Sequence, residues 1–360
     1  MAQLFVGVAM KATIRDPARV ASFTFPPVVT QPDQSNLIYE RHCAMMSNVV
    51  RRGAMLMRNV AGARRQFASS ATSSTAGEPA VMLELGQGKS GKVAIITLND
   101  PKRMNALNID MGDAFGDIVA DLKGPRADEV GAVVLQGAGK AFSAGGDLGF
   151  LEDRHYDTPS RNAAIMRKFY SRFLAVRELP VPVVAGVNGA AVGAGLCLAL
   201  ACDMRVIAAD ARVGITFVGL GLHPGMAATH FLPRVCANHH FAARMMLTGD
   251  LVAGADACAQ YGLGEVAPDG DAARAQALAL ADSIASKAPV AVRTCVRSIR
   301  MGQEDGLERA LWREAGAQAE CYGSADYLEG VRAIVEKRKP EFSCYERYGE
   351  GEVGEVARRD

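Results

Sequence analysis

A surplus of charge, paired cysteines and long apolar runs are all missing from this sequence. Forty Lys and Arg stand against 39 Asp and Glu, a net charge of +1. With so little excess charge, nothing draws the chain toward nucleic acid or an acidic surface. No apolar run reaches the ~18 residues that a membrane-spanning helix needs. The eight cysteines, at 43, 197, 202, 236, 258, 295, 321 and 344, form no CxxC pair and no metal-ligand spacing. They read as buried reduced thiols, and no metal site is expected. His239 and His240 are adjacent on a helical face and likewise carry no metal spacing. No 20–50-residue repeat and no dinucleotide or phosphate-loop motif is present.

Another absence is local. Between Met46 and Gly77 there is no Asp or Glu, while Arg51, Arg52, Arg58, Arg64 and Arg65 all fall in that span. Arg51, Arg58 and Arg65 share a helical face, and a Ser-rich stretch follows. An amphipathic, Arg-rich, acid-free segment over 46–67 has the character of a mitochondrial transit peptide, which implies a matrix location. Residues 1–45 break that pattern with Asp16, Asp33 and Glu40. Translation from Met46 would account for the break.

What is present is regular from Val81 onward. Hydrophobic content of 49% is ample for a sizeable core. VMLEL, VAIITL, GAVVLQG, VVAGV and MRVIAA read as strands. Asn108–Lys123 has helical spacing, with Met111, Phe115, Ile118 and Leu122 on one face. Ala163–Glu178 reads as a second helix, and a third begins at Leu196. Past Phe241 strands fade, and 241–262, 271–286, 289–301, 304–321 and 325–336 all read as helices. The organisation is therefore an extension (1–79), a strand-and-helix core (80–270), a helical region (271–342) and a polar tail (343–360).

Two glycine-rich turns carry the chemical signal. Lys140-Ala-Phe-Ser-Ala-Gly-Gly-Asp147 follows one buried strand, and Asn188-Gly-Ala-Ala-Val-Gly-Ala-Gly195 leaves another to start a helix. Glycines bring bare backbone N–H groups close to a ligand, and a helix N-terminus favours negative charge. Two such N–H groups aimed at one point make an oxyanion hole.

With those turns in place, the chain resembles the crotonase superfamily, the enoyl-CoA hydratases and isomerases. The resemblance rests on ITLNDPKRMNAL (96–107), VVLQGAGKAFSAGGDL (133–148), PVPVVAGVNGAAVGAGLCLALACDMRVIAADARVG (180–214), GLGLHPGMAATHFLPR (219–234) and EGVRAIVEKRKPEF (329–342). It implies an α/β fold, a spiral of ββα units with a C-terminal helical region, assembled as a homotrimer or a dimer of trimers. It implies an acyl-CoA substrate, with coenzyme A part of that substrate and no separate cofactor. Carried across, the oxyanion donors are the N–H groups of Ala144 and Ala194. Lys102 or Arg103 lies near the CoA phosphates, the main chain from Ala141 through Ser143, Gly145 and Gly146 to Asp147 meets the adenine, and Ala106, Gly193 and Phe217 also face the substrate. Lys337 or Lys339 reaches the CoA of an adjacent subunit.

The sequence departs from that family where hydration is performed. Relatives carry two glutamates whose positions here are Cys197 and Phe217, and an isomerase aspartate whose position here is Gly225. His223 is then the candidate acid–base group, against a hydrogen-bonded structural role. Cys197 reads as inert packing and Asp147 as a loop cap. Glu152, Asp153 and His155 read as a mobile loop over the pocket. The expectations are enoyl-CoA hydratase/isomerase-like chemistry without the usual carboxylates, a non-catalytic acyl-CoA-binding subunit, or an acyl-CoA decarboxylase.

Overall fold

The computed structural model of the protein describes residues 78–342. The Arg-rich segment, the residues before it and the polar tail lie outside the described residues, and so does the expected targeting signal.

Among the described residues, ten strands form two sheets. In chain order they are β1 (Val81–Gln87), β2 (Val93–Leu98), β3 (Ala132–Gly137), β4 (Ala141–Ser143), β5 (Val183–Val187), β6 (Ala190–Val192), β7 (Met204–Ala208), β8 (Arg212–Gly214), β9 (Val252–Ala253) and β10 (Glu265–Ala267). The larger sheet runs β1-β2-β3-β5-β7-β10, with only β1 antiparallel. The smaller runs β4-β6-β8-β9, with only β9 antiparallel. Every residue of β2 and β5 is buried, as suits parallel strands covered on both faces. Each pair β3–β4, β5–β6 and β7–β8 sends its first strand to the large sheet and its second to the small one. That alternation is the spiral of ββα units, a repeat of structure that no repeat of sequence announces.

Eleven α-helices lie between and after the strands among the described residues. The first, α1 (Ile109–Lys123), is capped by Asn108, whose side chain accepts the Met111 N–H at 2.8 Å. Its buried face is Met111, Phe115, Val119 and Leu122; Val119 is fully covered and Ile118 only partly. Next comes α2 (Leu148–His155), a helix where a loop was expected. Asp147 caps it by accepting the Phe150 N–H at 3.1 Å, so Glu152, Asp153 and His155 sit on regular backbone. Then α3 (Pro159–Leu174) starts four residues earlier than its apolar spacing suggested. Thr158 caps it and Pro159 opens it, a pairing that fixes helix starts. A 3₁₀ turn, Ala175–Glu178, completes the predicted span.

The fully buried α4 (Ala194–Ala201) begins two residues before Leu196. The expected single helix over 241–262 is instead α6 (His239–Thr248), β9 and α7 (Gly254–Ala259), following α5 (Ala228–Val235). Gly249 ends α6 in the left-handed region at φ 70°. Beyond β10, α8 (Gly270–Ala285) buries Ala273, Ala277, Ala281 and Ala285, a small-residue stripe against β3, β5 and β7. The helical region therefore starts as a layer on the large sheet. It continues through α9 (Pro289–Glu304), α10 (Leu307–Tyr322) and α11 (Ala325–Glu336).

One buried ion pair ties α9 to the sheet. Arg300 meets Asp203 through Nε at 2.8 Å and Nη2 at 2.5 Å, and it donates to the carbonyls of Arg177, Leu179 and Val181. Every donor of the fork that these bonds use has an acceptor, which offsets the cost of burying the pair. The carbonyls belong to the segment that leads into β5, and hence to the second glycine-rich turn.

Candidate active site

The two turns meet. An ideal Cβ placed on Gly145 would lie 2.7 Å from the Val192 carbonyl and 3.7 Å from the Ala194 nitrogen. Only glycine permits that approach, and Gly145 also has φ 97°. Asn105, fully buried, holds the first turn from behind. Its Nδ2 donates to the carbonyls of Ala138 (2.9 Å) and Ala141 (2.8 Å), and its own carbonyl accepts the Ser143 hydroxyl at 2.8 Å.

A tally of N–H groups then finds the free donors. Ala144 N–H donates to the Met104 carbonyl at 2.9 Å, Gly145 N–H to Ser143 Oγ at 3.2 Å, and Asp147 N–H to the Leu107 carbonyl at 2.9 Å. Gly146 N–H has no hydrogen-bond partner. The expectation of Ala144 as an oxyanion donor is therefore corrected: its hydrogen is spent inside the protein, and the free one two residues on is at Gly146. On the second turn, Gly193 takes φ 53°, ψ −119°, a conformation reserved for glycine, and donates its N–H to the Gly214 carbonyl. Ala194 opens α4 with its N–H unpaired, at the positive end of the helix dipole. Gly146 and Ala194 thus each carry a bare donor, one on each turn, at the wall of one cavity.

Both line a cavity of about 610 Å³. Its wall is largely apolar, with Leu148, Leu151, Met166, Phe169, Phe217 and Met226 prominent. Such a chamber suits an acyl chain. Of the residues expected at the site, Ala144, Gly145, Gly146, Gly193, Ala194 and Phe217 line it. Lys102, Arg103, Ala106, Ala141, Ser143, Asp147, His223 and Lys337 do not. Ser143 and Ala141 are buried and spent on holding the first turn. Arg103 pairs with Asp100 at 2.6 Å and Asp147 at 3.2 Å. Lys339, in contrast, does line the cavity of its own chain, as do Arg244 and Asp250.

The positions expected to lack carboxylates have been filled with inert groups. Cys197 is fully buried, its Sγ faces the Gly225 carbonyl at 3.5 Å, and burial pushes its thiol well above the usual 9.0. It stays a thiol and cannot act as a base. Phe217 presents its ring to the cavity. His223 fits catalysis poorly. Its Nδ1 pairs with the Pro224 carbonyl at 2.7 Å, and the cavity wall passes through Leu222 and Met226 but not through it. Burial also lowers its pKa below 6.5, which favours the neutral ring.

Sequence reasoning missed the polar residues of the far wall, Tyr170 and Gln318, and Arg244 nearer the surface. Tyr170 and Gln318 stand 148 residues apart, and no local pattern joins them.

Comparison with known proteins agrees with this geometry. The sequence model of the enoyl-CoA hydratase/isomerase family matches residues 88–344. A short-chain-enoyl-CoA hydratase of Clostridium acetobutylicum is 34% identical over 254 residues, 70% of this chain and 95% of that protein. A mouse enoyl-CoA hydratase domain-containing protein 2, termed mitochondrial, is 33% identical over 285 residues, covering 77% of this chain and 92% of its own. A solved enoyl-CoA hydratase/isomerase from Pseudoalteromonas atlantica superposes with a TM-score of 0.63 at 32% identity, over 73% of this chain and all of that one. Two ββα turns offering bare N–H groups to one apolar chamber, on a chain matched along nearly its whole described length, place the protein in the enoyl-CoA hydratase/isomerase family of the crotonase superfamily.

Proposed function

We propose that the protein is an acyl-CoA enzyme that stabilises a thioester enolate between the N–H groups of Gly146 and Ala194 and needs no cofactor beyond the CoA of its substrate. The observation that carries this reading is the pair of unpaired donors on adjoining turns at the wall of an apolar cavity. Each donor is worth about 3–4 kcal/mol to an oxyanion in a water-poor site.

The mechanism differs from carboxylate-driven hydration. Deprotonating water or an α-carbon needs a base, and the inner wall offers a phenyl ring, a phenol, an amide and threonine hydroxyls, with the neutral Cys197 thiol buried outside the lining. Asp250 is the sole lining carboxylate among the described residues, and it is solvent-exposed. The fixed residues therefore orient the thioester, withdraw charge onto its carbonyl oxygen and exclude water.

A second reading follows from the same wall. Loss of CO₂ from a malonyl-type thioester produces an enolate without any base, so a hole with no carboxylate beside it suits decarboxylation. A panel of 2-enoyl-, 3-enoyl- and malonyl-type CoA thioesters, with products separated by chromatography and weighed by mass spectrometry, tests both. Turnover of enoyl substrates supports isomerase-like chemistry, and loss of 44 mass units supports decarboxylation. Tight thioester binding with no product identifies a non-catalytic acyl-CoA-binding subunit. Absence of any thioester binding refutes the proposal.

We further propose action in the mitochondrial matrix, supported by the Arg-rich segment 46–67 and by the mouse relative, and assembly as a trimer or dimer of trimers. Residues 46–77 fused to a fluorescent reporter should direct it to mitochondria. Light scattering of the purified protein should give three or six times the chain mass.

A further inference from the structure

The closed end of the cavity rests on a turn that its own backbone resists. Arg244, Thr248, Asp250 and Lys339 are exposed and mark the mouth, whereas Met226 is 1% exposed and belongs to the buried end. Met226 and the next residue, Ala227, both have left-handed backbone, at φ 57° and 62°. That region crowds a Cβ against the following carbonyl oxygen, so neither residue settles there unaided. Consecutive residues do the same at one other place among the described residues. Met104 and Asn105, at φ 53° and 54°, form the segment that holds the first glycine-rich turn. Both strained pairs therefore border the site.

What holds Met226 and Ala227 is a buried carboxylate that enolate stabilisation leaves unused. Glu314 on α10 is 0% exposed. Its Oε2 accepts the Ala227 N–H at 2.6 Å, and its Oε1 accepts the Thr229 N–H at 2.8 Å together with the Thr229 hydroxyl. The helix α5 starts at Ala228, and its cap, Ala227, has no side-chain acceptor of its own. Glu314 supplies that acceptor from 87 residues away, where the helix dipole favours its charge. One helical turn further along α10, Gln318 donates to the His223 carbonyl at 2.9 Å. The Tyr170 phenol oxygen takes the Met226 N–H. Of these bonds the carboxylate's are charge-assisted and the strongest.

We propose that Glu314 is a positioning residue for the acyl site: its carboxylate keeps Met226 and Ala227 in the left-handed conformation, fixes Met226 as the floor of the cavity, and so sets the longest acyl chain the protein accepts. The inference rests on the acyl-CoA reading above. Calorimetric titrations with butyryl-, hexanoyl-, octanoyl-, decanoyl- and dodecanoyl-CoA read the floor. In the intact protein the affinity falls about 10-fold or more at the first chain that overfills the cavity. Glu314→Gln leaves one acceptor oxygen for Thr229 and sets an NH₂ group against the Ala227 N–H. The turn then relaxes and the step is lost, while butyryl-CoA, too short to reach the floor, binds as before. Ala227→Gly removes the strain at its source. Alone it keeps the step and does not lower the melting temperature; added to Glu314→Gln it restores the step. A carboxylate with a merely structural role would shift the melting temperature and leave the step in place.

The proposal is overturned if the intact protein shows no step, if the step survives Glu314→Gln, if Ala227→Gly fails to restore it, or if Glu314→Gln weakens every chain length in parallel. A melting temperature several degrees lower in Ala227→Gly overturns it as well, because the turn would then carry no strain. Where Glu314→Gln alone does not fold, adding Ala227→Gly is expected to recover a folded protein, and failure to do so counts against the proposal. If no thioester binds the unaltered protein while the melts behave as expected, the failure belongs to the acyl-CoA reading itself.

Discussion

Ala194→Pro removes one donor of the proposed oxyanion hole and little else. Ala194 is the first residue of α4 and its N–H is unpaired; the first bond of that turn runs from Cys197 N–H to the Gly193 carbonyl. Proline at the first helical position forfeits no intrahelical bond and is pre-set to the helical φ. The residue ahead of a proline must avoid helical ψ, and Gly193 does so at ψ −119°. The structural cost is thus small, and the melting temperature should fall by no more than a few degrees. The chemical cost is the lost stabilisation of charge on the thioester oxygen, about 3–4 kcal/mol or roughly 10²–10³-fold in kcat. KM should change only a few-fold, since the donor strengthens mainly as negative charge develops. Ala194→Gly keeps the N–H and is the control, with kcat within a few-fold of the original. The assay is steady-state turnover of whichever CoA thioester the panel identifies, paired with circular dichroism melts. A folded Ala194→Pro protein retaining more than a fifth of the original kcat would refute the assignment of Ala194 N–H to the hole.

Other predictions concern the scaffold. His223→Ala should leave kcat within about three-fold, because the ring is bonded to the Pro224 carbonyl outside the cavity lining; a 100-fold loss would restore it as the acid–base group. Burial depresses the pKa of both His223 and His230, so the unfolded chain takes up protons near pH 6.5 that the fold resists. Their contribution to stability is complete above about pH 6.5 and is lost as pH falls below it; chemical denaturation at pH 7.5 and 5.5 should show that loss, smaller in His223→Asn. Glu314, raised by burial, acts in the opposite sense: its contribution is full below 4.5 and fades as pH rises through its higher folded value. Asp203→Ala strands the buried Arg300 and should cost about 3–5 kcal/mol, read as a lower denaturation midpoint.

Much of this was legible in the sequence because it is local. Apolar runs between turn residues marked β2, β3, β5 and β7, and Asn108 marked the start of α1. The misreadings came where a local signal was overlooked or a tertiary one decided. Asp147 is the cap it was read as, but it caps a helix and not a loop, and Thr158-Pro159 was passed over as the start of α3. Gly249 broke a run that apolar spacing alone had treated as continuous. The oxyanion donor was misplaced by two residues because the choice depends on where each N–H goes. Met104 and Leu107, far along the chain, consume those of Ala144 and Asp147. Tyr170 and Gln318 left no trace, since their meeting is made by the fold. That Cys197 and Phe217 follow the second turn could be read directly, but the burial of the thiol and the placing of the ring at the cavity are made by the fold.

The neighbouring strands β4 and β6 carry a further meaning. Gly146 and Ala194 each lie just past the end of one of them, and paired parallel strands stand about 4.8 Å apart. The gap between the two donors is therefore set first by the main-chain ladder of the small sheet, with Asn105 and Ser143 holding the first turn in place beyond it. Side chains around the turns, such as the Phe217 ring, can change and leave that gap untouched. The charge-holding device is inherited with the backbone, while the reaction is written separately in replaceable side chains around it.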